Sequence, residues 1–195
     1  MTAYPEILVV MALRAESQGV FEEAGVPVLY CGVGKVNAAI TLTRALAGYA
    51  RVERTMPLVV NFGSAGSPVH PPGSLLSCHA FIQRDMDVRG LGFPVGVTPY
   101  DEVPATLRFT PRFTHLTTAV CGSGDSFVTA GRGEDYTVVD MEAYALAKAC
   151  VLEHAEFVSV KYVTDGADHT AADDWQANVH KAADEFLRLY RSLNH

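Results

Sequence analysis

Three acidic residues at the ends of apolar runs could do chemistry in this chain. Asp165 follows Phe157-Val158-Ser159-Val160-Lys161-Tyr162-Val163-Thr164 and precedes Gly166-Ala167-Asp168. The apolar, β-branched run reads as a buried strand, and in open α/β sheets ligands bind at the carboxyl ends of strands. An aspartate delivered there serves as an acid or base, or it caps the next helix and shapes the turn. Glu142 follows Val138-Val139-Asp140-Met141 and opens an Ala-rich helix, where backbone N–H groups and an anion would meet. A helix-end charge with no ligand is its alternative reading. Glu16 lies in the first turns of a helix behind the apolar run 6–12, where complementing the helix dipole is the simpler role.

The elements that must position these residues alternate along the chain. The run 6–12 reads as a strand feeding a helix through Ala15, Val20 and Phe21. Residues 28–31 form a second strand, which enters Gly32-Val33-Gly34-Lys35 and a helix over 36–47 with Ala39, Ile40, Leu42, Ala45 and Leu46 on its apolar side. The glycines suggest close backbone approach. This is no P-loop, because Val36 follows Lys35, and no dinucleotide fingerprint, because Asn37 holds the third glycine position. A strand over 58–62 breaks into the small-residue loop Gly63-Ser64-Ala65-Gly66-Ser67, which either lets amides reach a sugar or anion or is merely a tight turn.

Residues 74–82 are extended, and 84–111 are the least regular part of the chain, with Pro94, Pro99, Pro104, Pro111 and three glycines. Leu91 and Phe93 within it suit an ordered functional loop or an interface flap. A strand over 116–121 ends in Gly122-Ser123-Gly124-Asp125-Ser126-Phe127-Val128. Phe127 there either stacks on a planar ring or packs in the core, and the residues alone favour the core. A last helix spans 175–193, with Ala182, Ala183, Phe186, Leu187 and Tyr190 as its packing stripe. Strands alternating with helices predict an α/β fold, a single-domain three-layer α/β/α sandwich with a mixed, largely parallel central sheet.

Composition limits the functions open to the chain. Its 195 residues suffice for one domain with a sizeable core, and 49% are hydrophobic against 19% charged. A net charge of −7 with no basic block repels a polyphosphate backbone, so no nucleic acid is expected as a partner. Apolar runs are too short to span a membrane, and no signal peptide pattern is read at the amino terminus. Cys31, Cys78, Cys121 and Cys150 form no Cys-x-x-Cys pair and read as buried free thiols, which suits the cytoplasm. Asp165, Asp168, His169, Asp173 and Asp174 follow no recognised ligand spacing, so no metal is expected, and no cofactor.

Six motifs, in this order, resemble the nucleoside phosphorylase/nucleosidase superfamily, and most closely its 5′-methylthioadenosine/S-adenosylhomocysteine nucleosidases. They are Met11-Ala12-Leu13-Arg14-Ala15-Glu16, Gly32-Val33-Gly34-Lys35-Val36, Asn61-Phe62-Gly63-Ser64-Ala65-Gly66, Ser123-Gly124-Asp125-Ser126-Phe127, Val139-Asp140-Met141-Glu142-Ala143 and Val163-Thr164-Asp165-Gly166-Ala167-Asp168. The resemblance covers nearly the whole chain and implies a nucleoside phosphorylase-like fold. The chain departs from it in Arg14, at a position usually acidic in the bacterial enzymes, in a shortened stretch after Phe127, and in its total length.

The resemblance implies hydrolysis of a purine nucleoside's N-glycosidic bond. Asp165 would be the general acid that protonates N7, and Glu16 the general base that activates water. Glu142 would hold the ribose hydroxyls, with Asp140 of the same motif among the substrate-binding residues, and Met141 would pack on the sugar. Phe127 would stack on the purine, the Val128 backbone would address its edge, and Ser64 would lie near the attacking water. A homodimer is also implied, in which the loop 84–99 brings Leu91 and Phe93 over the partner's 5′ pocket. A phosphorylase, a futalosine-type hydrolase and a non-catalytic nucleoside-binding protein are the competing readings. Glu16 and Asn61, standing where the phosphorylases carry phosphate-binding arginines, favour water as nucleophile.

Overall fold

A computed structural model describes residues 6–52, 54–129 and 135–193. The first residues of the amino terminus and part of the shortened stretch after Phe127 lie outside these. Among the described residues, eight strands form one sheet: β1 (Ile7–Met11), β2 (Val28–Tyr30), β3 (Leu58–Gly66), β4 (Leu75–Gln83), β5 (Thr106–Arg108), β6 (Thr117–Ser123), β7 (Val138–Asp140) and β8 (Glu156–Asp165). The helices described around it are α1 (Arg14–Ser17), α2 (Val20–Glu23), α3 (Lys35–Arg51), α4 (Ala143–Leu152), α5 (Ala171–Asn178) and α6 (Ala183–Ser192).

The long apolar runs become strands covered on both faces, as parallel sheets require. Val9, Val10 and Met11 are fully buried, and alternate residues enter two different cores. One core joins Val10, Val59 and Phe157 to Leu42 and Leu46 of α3 and Leu146 of α4. The other joins Val9, Val60 and Phe62 to Phe21 of α2 and Phe186 of α6, with the Phe62 and Phe186 rings stacked at 5.0 Å. The expected three layers and the mixed, largely parallel sheet are therefore present.

The sheet also closes on itself. β3 pairs in parallel with β1 and β8, and β8 runs antiparallel to β4. β4, β6 and β7 are parallel neighbours, and β7 returns to β3 through Gly66 and Val139. The ring β3-β8-β4-β6-β7 gathers the ends of β3, β7 and β8 at one rim, which is where the motif carboxylates fall.

Three local expectations are corrected. The first helix is two separate turns, because Gln18 and Gly19 adopt left-handed backbone, with φ of 50° and 79°. The stretch 63–66 is not a loop but the end of β3, held by its ladder to β8; that pairing overrides the weak strand preference of small residues. The last helix begins at Ala171 and breaks at a 3-10 turn, Val179–Ala182. Asn178 donates its amide to Thr164 O at 2.7 Å, which holds α5 across the end of β8, and α6 then leaves toward Phe62. The irregular segment 84–111 contains a 3-10 turn, Arg89–Leu91, and the unforeseen edge strand β5, paired to β4.

Candidate active site

A cavity of about 310 Å³ opens at the rim of the ring, and its wall includes Glu16, Ser64, Asp140, Met141, Glu142 and Asp165. That volume lies in the range of small-molecule sites. Glu16, 3% exposed, enters it from α1. Its Oε2 accepts from the N–H groups of Ala12 and Leu13 at 2.9 and 3.1 Å; its Oε1 accepts from Ser64 N at 2.8 Å and Ser64 Oγ at 3.0 Å. Four donors fill the lone-pair sites of one carboxylate. Trp175 Nε1 donates to the same Ser64 Oγ at 3.1 Å, so α5 is tied to this corner.

Asp140 and Glu142 flank Met141 where β7 passes into α4. Asp140 is occupied by protein donors: Ser123 Oγ and Cys121 Sγ on Oδ1, Ala143 N and Lys161 Nζ on Oδ2, the last at 2.7 Å. Burial opposes both charges of the Lys161–Asp140 pair, but mutual attraction outweighs it, holding the lysine above and the aspartate below their ordinary pKa values. Glu142 accepts from Gly34 N at 2.8 Å, which brings the Gly32–Lys35 join over the cavity. Gly34 has φ of 92°, a conformation glycine adopts without strain. Burial, reinforced by Asp140, pushes Glu142 up to about 8 despite Lys161 and the Gly34 N–H.

Asp165 ends β8 and is 3% exposed. Its Oδ2 accepts from Thr164 Oγ1 at 2.7 Å and its Oδ1 from Ala167 N at 2.9 Å. Burial raises its pKa against both hydrogen bonds, which favours a retained proton. The turn thus shapes itself around Asp165, and the capping of the segment before α5 falls to Asp168, which accepts from Thr170 N and Oγ1.

Ser126, Phe127 and Val128 form another part of the wall, with Arg84 beside them. Phe127 is 47% exposed, so the expectation that favoured the core is corrected: the loop after β6 carries the ring out of the sheet, to the cavity. Arg84 grips that loop through Ser126 Oγ and the carbonyls of Gly124 and Ser126. Asp85 accepts from Asp125 N and Lys35 Nζ, and Asp125 accepts from Lys35 N, which fastens the Gly32–Lys35 join to the same loop. Leu91 and Phe93 lie outside this wall; Leu91 is 71% exposed and Phe93 packs edge-on against Tyr100. Asn61 faces inward, bonded to Val10 O and Ser159 Oγ.

The family model described as the phosphorylase superfamily matches residues 15–193. The chain belongs to the phosphorylase superfamily. Curated relatives include the 5′-methylthioadenosine/S-adenosylhomocysteine nucleosidase of Baumannia cicadellinicola, 31% identical over 168 residues that cover 76% of this chain and 71% of the relative. The protein of that name from Marinomonas sp. is 30% identical over 198 residues, covering 90% and 83%. Among solved structures, a futalosine hydrolase mutant of Helicobacter pylori superposes with a TM-score of 0.83 at 21% identity, covering 97% of this chain and 98% of the other. The 5′-methylthioadenosine/S-adenosylhomocysteine nucleosidase of H. pylori, in complex with a pyrrolidinol ligand, gives 0.83 at 20% identity over 98% of each chain. These two likenesses are of fold.

In this phosphorylase-superfamily chain, the structure brings Glu16, Ser64, Phe127, Val128, Asp140, Met141, Glu142 and Asp165 to one cavity. Sequence reading passed over Lys161, Trp175, Arg84 and Asp85. Lys161 left a signal: a lysine inside a β-branched run is exceptional, because a buried ammonium needs a partner. Trp175 left none, since its contact with Ser64 spans 111 positions. All four cysteines are buried and free, as expected. No helix among the described residues is long and apolar enough to cross a membrane.

Proposed function

We propose that this superfamily member hydrolyses the N-glycosidic bond of a purine nucleoside, with 5′-methylthioadenosine and S-adenosylhomocysteine as substrates, releasing adenine and the 5′-thio-substituted ribose. One observation carries the reading: three buried carboxylates, Glu16, Glu142 and Asp165, share a nucleoside-sized cavity with the half-exposed ring of Phe127. The names of the relatives at 30 and 31% identity support the choice of nucleoside.

Asp165, whose proton is favoured by burial, donates it to N7 so that the base can leave. Phe127 stacks on the purine and the Val128 backbone meets its edge. The sugar becomes oxocarbenium-like, and the Glu16 carboxylate stabilises that charge. Glu142 holds the ribose hydroxyls and Met141 packs on the ring, while Asp140, with its own oxygens occupied, supports the join that carries both. Glu16 activates the water. Three of its four donors are main-chain N–H groups; the fourth, the Ser64 hydroxyl, can rotate and yield its place on Oε1 to the nucleophile.

A phosphate nucleophile would need free cations where Glu16 stands. Lys161 is committed to Asp140 and Arg84 to loop carbonyls, which supports water. The whole chain is proposed as one domain of this type, cytoplasmic because its buried thiols suit a reducing compartment. It acts as a homodimer, in which the loop 84–99 places Leu91 and Phe93 over the partner's 5′ pocket. The exposure of Leu91 and Tyr100 supports this.

The test is incubation of the purified protein with methylthioadenosine, S-adenosylhomocysteine, adenosine, inosine and futalosine, with and without phosphate. Free adenine and free sugar, formed at a rate indifferent to phosphate, are expected. Sugar-1-phosphate, or no released base, rejects the proposal.

A further inference from the structure

The join Gly32–Lys35 holds two different parts of the site with two consecutive main-chain N–H groups. Gly34 N donates to Glu142 Oε1 at 2.8 Å, and Lys35 N donates to Asp125 Oδ1 at 2.7 Å. Glu142 is the proposed ribose ligand, whereas Asp125 belongs to the loop after β6 that brings Phe127 and Val128 to the cavity. The contact has little slack: a Cβ on Gly34 would stand 3.2 Å from Asp125 Oδ1. On the loop side, Asp125 N donates to Asp85 Oδ2 at 2.8 Å, and Asp85 accepts in turn from Lys35 Nζ. A Cβ on Gly124 would stand 2.8 Å from Arg84 Cζ and 3.0 Å from Asp85 Cγ, so the root of the loop lies close against both side chains.

We propose that Asp125 is a positioning residue that couples the base loop to Glu142 through the Gly34–Lys35 backbone, so that the seating of the loop on the purine sets the carboxylate that holds the ribose. This rests on the function proposed above. Asp125 lies outside the cavity wall and its side chain is 46% exposed, so neither contact with substrate nor core packing accounts for its ties. Among the described residues, Gly34 N is the one hydrogen-bond donor on the Glu142 carboxylate. A ligand held at one point is steered by that point, and a small displacement of a positioning group is costly to a reaction that needs alignment. A tie that merely fastened the loop would cost every nucleoside alike. Coupling makes the cost depend on the sugar hydroxyls.

Adenosine and 2′-deoxyadenosine separate the two roles, because they share a base and differ in a hydroxyl that Glu142 is proposed to hold. In wild type, kcat/KM should favour adenosine. Asp125→Ala should narrow that preference by about three- to tenfold, beyond any loss common to both substrates. Asp125→Asn, which keeps an acceptor for Lys35 N, should restore most of it. No preference in wild type, an unchanged preference in Asp125→Ala, or equal narrowing in Asp125→Asn overturns the proposal. Affinities of the same two nucleosides, measured by calorimetry in the Asp165→Asn background, give the ratio without turnover. They decide about Asp125 even if wild type releases no base, an outcome that would reject the hydrolysis instead. Should Asp125→Ala not fold, Asp125→Ser, whose shorter side chain draws the oxygen back from Lys35 N, is read in the same way, and an unchanged ratio again overturns it.

Discussion

Gly66 and Asp165 meet with no room for a methyl group: a Cβ on Gly66 would stand 2.5 Å from Asp165 Oδ1. The bulge that shifts the β3–β8 register between Ala65 and Gly66 sets this approach. Gly66→Ala therefore displaces the proposed acid without touching its chemistry. We expect a folded protein with kcat reduced by about 10²-fold, the lower part of the range for losing a general acid. Asp165→Asn, which keeps the shape, should fall within about 10²–10⁴. Retention of more than about a tenth of wild-type turnover by Asp165→Asn would remove it from the mechanism.

Glu16→Gln sets an amide N–H₂ against donors that now point at a carboxylate. At least one main-chain N–H of Ala12, Leu13 or Ser64 loses its acceptor, at about 1–3 kcal/mol. A helix-end charge alone would cost at most about 1 kcal/mol. Denaturant melts and base release, measured together, should show both the larger stability loss and the loss of hydrolysis. A small stability change with intact turnover would return Glu16 to the helix-end role.

Trp175→Phe removes one N–H and little volume. Ser64 Oγ then loses the donor that fixes it while its own proton turns away from Glu16. A fall in kcat of about three- to tenfold is expected, matching a hydrogen bond worth about 0.5–1.5 kcal/mol. Steady-state kinetics on methylthioadenosine checks this, and a change confined to KM would place Trp175 in substrate binding instead.

Stability should decline with rising pH, and Glu142 gives the window. Its folded pKa of about 8 lies above the ordinary 4.5, so its contribution is fully present below 4.5 and is lost as pH rises through about 8. Asp165, also raised by burial, works in the same direction. Thermal melts across this interval should show Tm falling, and Glu142→Gln should flatten the fall. A decline of equal size in the variant would assign it to another group.

Leu91→Ala and Phe93→Ala test the proposed dimer loop. If these side chains cover the partner's 5′ pocket, their loss should penalise methylthioadenosine more than adenosine, by roughly 1–3 kcal/mol in kcat/KM. Molar mass measured by light scattering should show a dimer for wild type. A fully active monomer, or equal losses on both substrates, would separate this loop from the pocket.

Strand and helix identity was largely written in the chain, because period and propensity are local: the β-branched run before Asp165 and the Ala-rich run after Glu142 each became the expected element. The residue types able to do acid, base and sugar-binding chemistry were legible for the same reason. Where the chain bends or ends depended on longer-range forces. β3 runs on through Gly63 and Ala65 because β8 lies beside it, and the last helix breaks where Asn178 reaches Thr164. The electrostatics of the site were decided by tertiary structure alone. Whether a carboxylate is charged depends on what lies over it, and Glu142 owes its raised pKa to burial and to Asp140, which prevail over the opposing Lys161 and Gly34 N–H, groups brought together from three separate parts of the chain. Sequence could place an ammonium in a strand, but only the closure of the ring put Gly63 opposite it and Asp140 within 2.7 Å.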